Sequence, residues 1–546
     1  MPSFKNIFIA IIFLFVGNTL SYAQGDLETG EVEVIKDFDA RLKDTEKISV
    51  TPTLPNQEAV TKTQTYNIPP RTIQVDYLPP KIRPIAMRGD KLPEAYNGYV
   101  KLGGGIPTTT FGELAYHTFY EKQYDIGVKL KHHQANFKNL EHQRFMENSG
   151  EVMGTYYLDE GYAVGGNLGF MSDQVHYYGF DHDVDTFSRD EVRQNFNTFD
   201  LGLKFFNGER TQGDINYRAG LNVYNIKDNF AAKERHLDAG IGATKWFAEK
   251  HSLDVDIKAD FTTYQDSVKQ KLNNFYINPA FTFHNEGIKA QIGVNLASVN
   301  EEFSVFPDVE VSANIVGNKF TAFVGAEGNL KPNTLRTLSD YNPFINTFGS
   351  LEIRNTSYNH FYGGLRGTVA GFNYKGQIGY KDAKGLPLFL NVERTRADSA
   401  SFTTFDVVYD SVRIFNIQGS IGATILKDLD LTGTISINSF DLDNEGRAWH
   451  LPFLEANFTG VYRLLEDKFR LKGELFVANG VPFQIANDRS DNLNALLDVS
   501  VGGEYILSEN LGAFVEINNL LNNRRQRWAN YPTYGLNVLA GVTAKF

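Results

Sequence analysis

The chain has 546 residues, a formal charge of -12 and no cysteine. That acidity argues against a nucleic-acid partner, and the missing cysteine excludes a disulfide framework and a thiolate metal site. Its 48 Gly, 42 Phe and 27 Tyr suit many alternating strands and turns better than helices.

Residues 1–23 read as a secretory signal. Lys5 supplies the positive start, Ile7 to Val16 is an unbroken apolar run, and Ser21-Tyr22-Ala23 puts small residues at the cleavage positions. No cysteine follows the cleavage point, so a lipid anchor is not expected there. Later stretches fall short of the roughly 20 apolar residues a spanning helix needs.

Residues 24–97 form a second region. The doublets Pro69-Pro70 and Pro79-Pro80, with Pro52, Pro55, Pro84 and Pro93, fix φ and remove donors. The expectation is an extended Pro-rich periplasmic segment. Within it Glu31, Val32, Glu33, Val34 and Ile35 alternate as a short strand able to add to a partner's sheet edge. An ordinary extended tail is the plainer account.

From residue 98 to 546, segments of about ten alternating residues recur between turn residues, the pattern of a transmembrane barrel. Leu253, Val255, Ile257, Ala259 and Phe261 alternate with Asp254, Asp256, Lys258 and Asp260. Alternation alone also suits a soluble sandwich. The connections discriminate. Tight links occur at Asp159 to Gly161, His284 to Gly287, Val316 to Lys319, Ala370-Gly371 and Glu466-Asp467. Between them lie polar stretches at Gln134 to Gly150, Ser172 to Gln194, Lys331 to Asn359, Lys381 to Ser411, Asn479 to Asn494 and Asn522 to Gly535. Short periplasmic turns and long outer loops are the outer-membrane pattern. The count is about 22 antiparallel strands. The fold class is therefore all-β, a transmembrane antiparallel β-barrel in the cell outer membrane, in contact with its lipids. Tyr156-Tyr157, Tyr177-Tyr178, Trp246-Phe247, Phe275-Tyr276 and Tyr531 with Tyr534 are expected in interfacial girdles. Arg218, Lys258, Arg470 and Lys472 are expected in a lumen of mixed charge.

Two side-chain groupings stand out. His176, His182 and Asp183 share a loop region, and imidazole with carboxylate is a divalent-metal chemistry; solvated loop polarity is the default account. Arg524, Arg525 and Arg527 beside Trp528 make a basic aromatic patch suited to lipopolysaccharide phosphates or another anion. The alternative is plain surface charge.

The last strand ends on an aromatic. Leu536, Val538, Ala540, Val542, Ala544 and Phe546 form its apolar face, with Leu539 as a large apolar residue on the other. Closure requires this strand to pair with Gly98 to Gly105.

This ending resembles the assembly signal of outer-membrane barrels, read by the barrel-assembly machinery. Glu516 to Arg525, an aromatic loop and the terminal strand together resemble the final hairpin of TonB-dependent receptors. Asp340 to Phe344, followed by Leu351 to Asn355, is similar to a mid-barrel stretch of that family. Glu31 to Ile35 loosely resembles its energy-coupling box, which implies a TonB-like periplasmic partner. The family also carries a plug domain, for which residues 24–97 leave little room. The implied function is an outer-membrane barrel binding or passing solutes. The alternative is a structural or assembly subunit whose N-terminal segment docks a periplasmic protein or a surface lipoprotein. Nucleophile-elbow, metalloprotease and phosphate-loop motifs are missing from the sequence, so no enzyme and no cofactor are expected.

Overall fold

The structure, a computed structural model, describes residues 96–546 except 121–122, 139, 300–301, 350, 396–399, 426–427 and 487–488. The signal, nearly all of the Pro-rich segment and the Glu31 to Ile35 strand lie outside the described residues.

Twenty-two strands form one antiparallel sheet in which chain neighbours pair. The first strand, Gly98–Ile106, also pairs with the last, Asn537–Lys545, from Tyr99 opposite Lys545 to Ile106 opposite Val538. The sheet is thereby closed into a barrel. Closure leaves no edge, which is what lets a sheet survive in lipid. No helix among the described residues is long and apolar enough to span a membrane.

The alternation seen in the sequence sorts the two faces. Ala219, Ile241, Ile257, Ile277 and Leu296 stand opposite one another across five strands. Ile241 is 61% exposed and Ile292 62%. Such a belt would be untenable in water but suits a lipid-facing band. One residue along, Arg218, Gly242 and Asp256 line up on the inner face. A Cβ on Gly242 would collide with Arg218 and Asp256, so the glycine makes room for their ion pair.

The five tight links predicted from sequence all lie at the end where the described chain enters at Gly98 and finishes at Phe546. Ala370 and Gly371 carry φ of 50° and 86°, the two-residue turn whose twist matches a hairpin. At the opposite end the connections are less uniform than expected. Pro107-Thr108 joins its strands directly. The stretch from Lys381 to Ser411 is mostly strand: Phe372–Thr395 and Ser401–Ile425 stay paired up to Thr395 opposite Ser401. Above the membrane its apolar residues, Leu388, Phe389, Phe402 and Phe405, pack against loops instead of facing lipid, so the lipid-facing alternation is lost and this part reads as loop.

Candidate functional site

The outer mouth is covered by the chain's own loops. Residues 177–192, 334–349, 351–353, 443–453, 480–486, 489–495 and 519–536 contribute to this cover, together with the upper part of the Ser401–Ile425 strand. A hydrophobic core of their side chains includes Tyr177, Tyr178, Phe344, Ile345, Phe405, Trp528 and Tyr531. The Phe344 ring stacks on Tyr531 at 4.0 Å between centroids. Trp528 packs edge-on against Phe389 and Phe405 at 5.5 and 5.3 Å. Polar tips are satisfied inside this core: Tyr177 Oη donates to Ile345 O and Tyr178 Oη to Pro532 O, both at 3.1 Å. Asn346 N donates to Phe405 O at 2.7 Å and Phe405 N to Phe344 O at 3.2 Å, so the 334–353 loop is stitched to a wall strand. Each buried aromatic contributes about 1.5–3 kcal/mol, so this cover is a folded lid.

The lid hangs on the inner wall through a short helix, Leu335–Tyr341. Thr334 and Thr337 form a capping box at its start. Its next donor is met from the wall: Leu335 N donates to Glu234 Oε2 at 2.7 Å. Tyr224 Oη donates to Glu234 Oε1 at 2.9 Å. Arg336 pairs with Asp200 at 3.1 Å. Further round, Gln270 Nε2 donates to Leu351 O at 2.7 Å and Gln270 Oε1 accepts from Ile353 N at 3.0 Å. One loop is thus fixed to several separate wall strands.

Below the lid the lumen carries cross-strand ion pairs of both signs. They include Arg366–Glu310 at 2.9 Å and Lys101–Glu516 at 2.6 Å, and Lys472 pairs with Glu474 along one strand at 2.7 Å. A hollow of about 250 Å³ in the wall is lined by Lys101, Arg470, Lys472, Glu474, Glu504 and Glu516. The lining is that of a polar channel without a single-sign filter.

The residues singled out from sequence fall as follows. On the last strand, Phe546 is 55% exposed, and Leu536, Ala540 and Val542 are exposed too, while Val538 and Ala544 are half-buried. Leu539 is buried on the inner face beside Phe514 and Gly103. The basic patch is divided. Trp528 is buried in the lid, Arg527 reaches Tyr341 Oη at 3.4 Å, and Arg525 Nε donates to Asn523 at 3.1 Å. His176 is fully buried with its ring parallel to that of His142, 6.4 Å away. His182 contacts Tyr178 O at 3.1 Å, and Asp183 is exposed.

Tyr177, Tyr178 and Tyr531, expected in a girdle, are instead lid core. Asp340 to Phe344, likened to a mid-barrel stretch, ends the lid helix and enters the same core. The Glu234 latch has no local sequence signal, because its partner lies 101 residues away.

No protein-family model matches the chain, and no curated protein matches its sequence. Solved structures do match. The siderophore receptor PiuA from Acinetobacter baumannii aligns with a TM-score of 0.62 at 10% identity, over 84% of this chain and 82% of that one. The copper transporter OprC aligns with a TM-score of 0.61 at 14% identity, over 83% and 84%. The ferric-catecholate import receptor Fiu from E. coli K12 gives 0.62 at 8% identity, over 83% and 82%. At such identity the likeness is one of fold. What this chain has in common with those receptors and that transporter is the large outer-membrane β-barrel.

Proposed function

We propose that this chain is an outer-membrane receptor that admits a solute through a lumen gated by its own loops. The observation that carries the reading is the lid helix latched to Glu234 on the inner wall. A passive pore gains nothing from a folded cover. A receptor that must stay shut until its ligand arrives does. Among the structural neighbours are the siderophore receptor PiuA, the copper transporter OprC and a complex of FpvAI with pyocin S2. They support a receptor or transporter as the class; the solute is left open.

Three further roles belong to this proposal. The outward residues Leu536, Val538, Ala540, Val542, Ala544 and Phe546 serve as the signal for the assembly machinery. Glu31 to Ile35 adds as a strand to a TonB-like periplasmic protein. Arg524 and Arg525 meet lipopolysaccharide phosphates.

The test is conductance in planar bilayers. The wild-type barrel is expected to be silent. Replacing residues 334–353 by a short Gly-Ser connector is expected to open it. A barrel without its 334–353 loop that stays silent would favour the second reading, a non-transporting assembly subunit. That reading draws on the same observation, since a self-closed barrel also suits a structural part. Recovery of a periplasmic protein by residues 24–97, lost on Val34→Pro, tests the partner strand.

A further inference from the structure

His236, Asp238 and Asp260 each offer a ligand atom, and these atoms lie within 4.8 Å of one another. They face the lumen from two neighbouring strands, Lys233–Phe247 and His251–Gln265. Asp238 and Asp260 stand directly opposite each other in the ladder. Like charges in that position destabilise a sheet unless a cation lies between them. His236 Nδ1 is 3.4 Å from Asp260 Oδ1 and 2.9 Å from Thr262 Oγ1. The imidazole is held by Tyr224, stacked on it at 4.5 Å.

The charges around this cluster do not balance. Asp200, Glu234, Asp238 and Asp260 supply four carboxylates, while Arg336 and Lys258 supply two cations. Arg336 pairs with Asp200 and Lys258 with Asp238. Glu234 is met by the lid's N–H groups and by Tyr224. Asp260 is 4% exposed, and His236 is its one cation-capable partner within 4 Å among the described residues. With His236 neutral, no cation faces the buried Asp260 carboxylate within 4 Å among the described residues, and that is the place a metal ion would fill.

We infer that His236, Asp238 and Asp260 form a divalent transition-metal site in the lumen, directly beneath the lid helix. One imidazole with two carboxylates suits a borderline first-row ion such as Zn²⁺ over Mg²⁺ or Ca²⁺. Metal–ligand bonds of about 2.0–2.2 Å place ligand atoms up to about 4.2 Å apart. Small side-chain turns within the observed 4.8 Å spread therefore close the site. Lys258 is the competitor. Its ammonium holds Asp238 and is half-exposed, free to swing into the lumen when the metal takes its place.

The site stands apart from the transport reading, since binding is measured on the purified full-length barrel in detergent. After chelator treatment and its removal, Zn²⁺ is titrated calorimetrically. Wild type is expected to show a class of one ion per chain. Asp260→Asn and His236→Gln should each weaken that class at least tenfold. Lys258→Met should tighten it, and His182→Gln should leave it unchanged. Folding of every variant is checked by heat-modifiable gel migration, and Lys258→Met gives a gain that misfolding does not mimic. Absence of Zn²⁺ binding by wild type, or wild-type affinity in both ligand variants, overturns the assignment. So does a loss confined to His182→Gln.

Discussion

Gly98 and Phe546 exchange both of their backbone hydrogen bonds: Gly98 N donates to Phe546 O at 2.7 Å, and Phe546 N to Gly98 O at 3.0 Å. The Phe546 ring lies over the glycine and stacks on Tyr116 at 6.3 Å. A Cβ on Gly98 would come 2.3 Å from this ring. The ring is terminal and half in lipid, so it can swing aside, and Gly98→Val should cost about 1–3 kcal/mol. Gly541, opposite Gly103, differs: its Cβ would meet the Leu102 carbonyl oxygen at 1.9 Å. Backbone does not swing. Gly541→Val should part the first and last strands and abolish the heat-modifiable band, while Gly98→Val only lowers its melting temperature. Equal behaviour of the two would show that the seam does not close as described.

The Glu234 latch makes a second contrast. Its carboxylate accepts from Leu335 N and Arg336 N of the lid and from Tyr224 Oη of the wall. Glu234→Ala orphans these donors, at about 1–3 kcal/mol for each one left buried. Glu234→Gln keeps one acceptor oxygen and should lose less. Amide exchange at Leu335 to Leu338 is the measurement. It should accelerate strongly in the alanine variant and modestly in the glutamine variant, with wall amides unchanged.

The lid should also loosen in acid. His450 is fully buried, contacting Phe389 O through Nδ1 at 2.6 Å and accepting from Ala529 N at Nε2 at 3.2 Å. Burial pushes its imidazole down to about 4, helped by Arg527 and opposed by the Phe389 bond. In an opened lid the ring regains a pKa of about 6.5. Between these values the open state holds more protons than the closed one. Closure is therefore strongest above about pH 6.5 and weakens as pH falls to about 4, by about 3 kcal/mol. Protease cleavage within residues 480–495 should rise over that window. His450→Gln, which offers a donor and an acceptor without titrating, should flatten the rise.

The wall was legible because membrane and lumen write opposite requirements on alternate residues. The inward Asp254, Asp256, Lys258 and Asp260 and the outward Ile257 declare their strand without any long-range information. The legibility stops where the lipid stops. Lys381 to Ser411 reads as a connection, because above the membrane its apolar residues, Phe389, Phe402 and Phe405 among them, pack into the lid and keep no lipid-facing alternation. Tyr177 and Tyr531 show the second limit. An aromatic near a strand end suits an interfacial girdle and a loop core equally, and contacts such as Phe344 on Tyr531 span 187 residues. The candidate metal cluster shows a third. Asp260 shows in sequence only as one polar residue of an alternating strand, and nothing in that strand reveals that register sets it opposite Asp238.

Trp528 and Arg525, neighbours in one basic stretch, should part company on mutation. Trp528 is 6% exposed and touches Tyr341, Phe389, Phe405 and His450. Truncating so large a buried ring costs about 3–5 kcal/mol. The loss falls on the lid, because these partners belong to the lid or to wall ends that pack against it. Trp528→Ala should therefore expose residues 334–353 and 480–495 to protease while the barrel keeps its heat-modifiable migration. Arg525 bonds to Asn523 on the surface. Its replacement by alanine should stay within about 0.5 kcal/mol and leave the lid protected. It should instead weaken lipopolysaccharide binding, in a salt-dependent way, if the arginines of this loop meet phosphate. A Trp528→Ala barrel that resists protease as wild type does would mean that the aromatic core does not hold the lid.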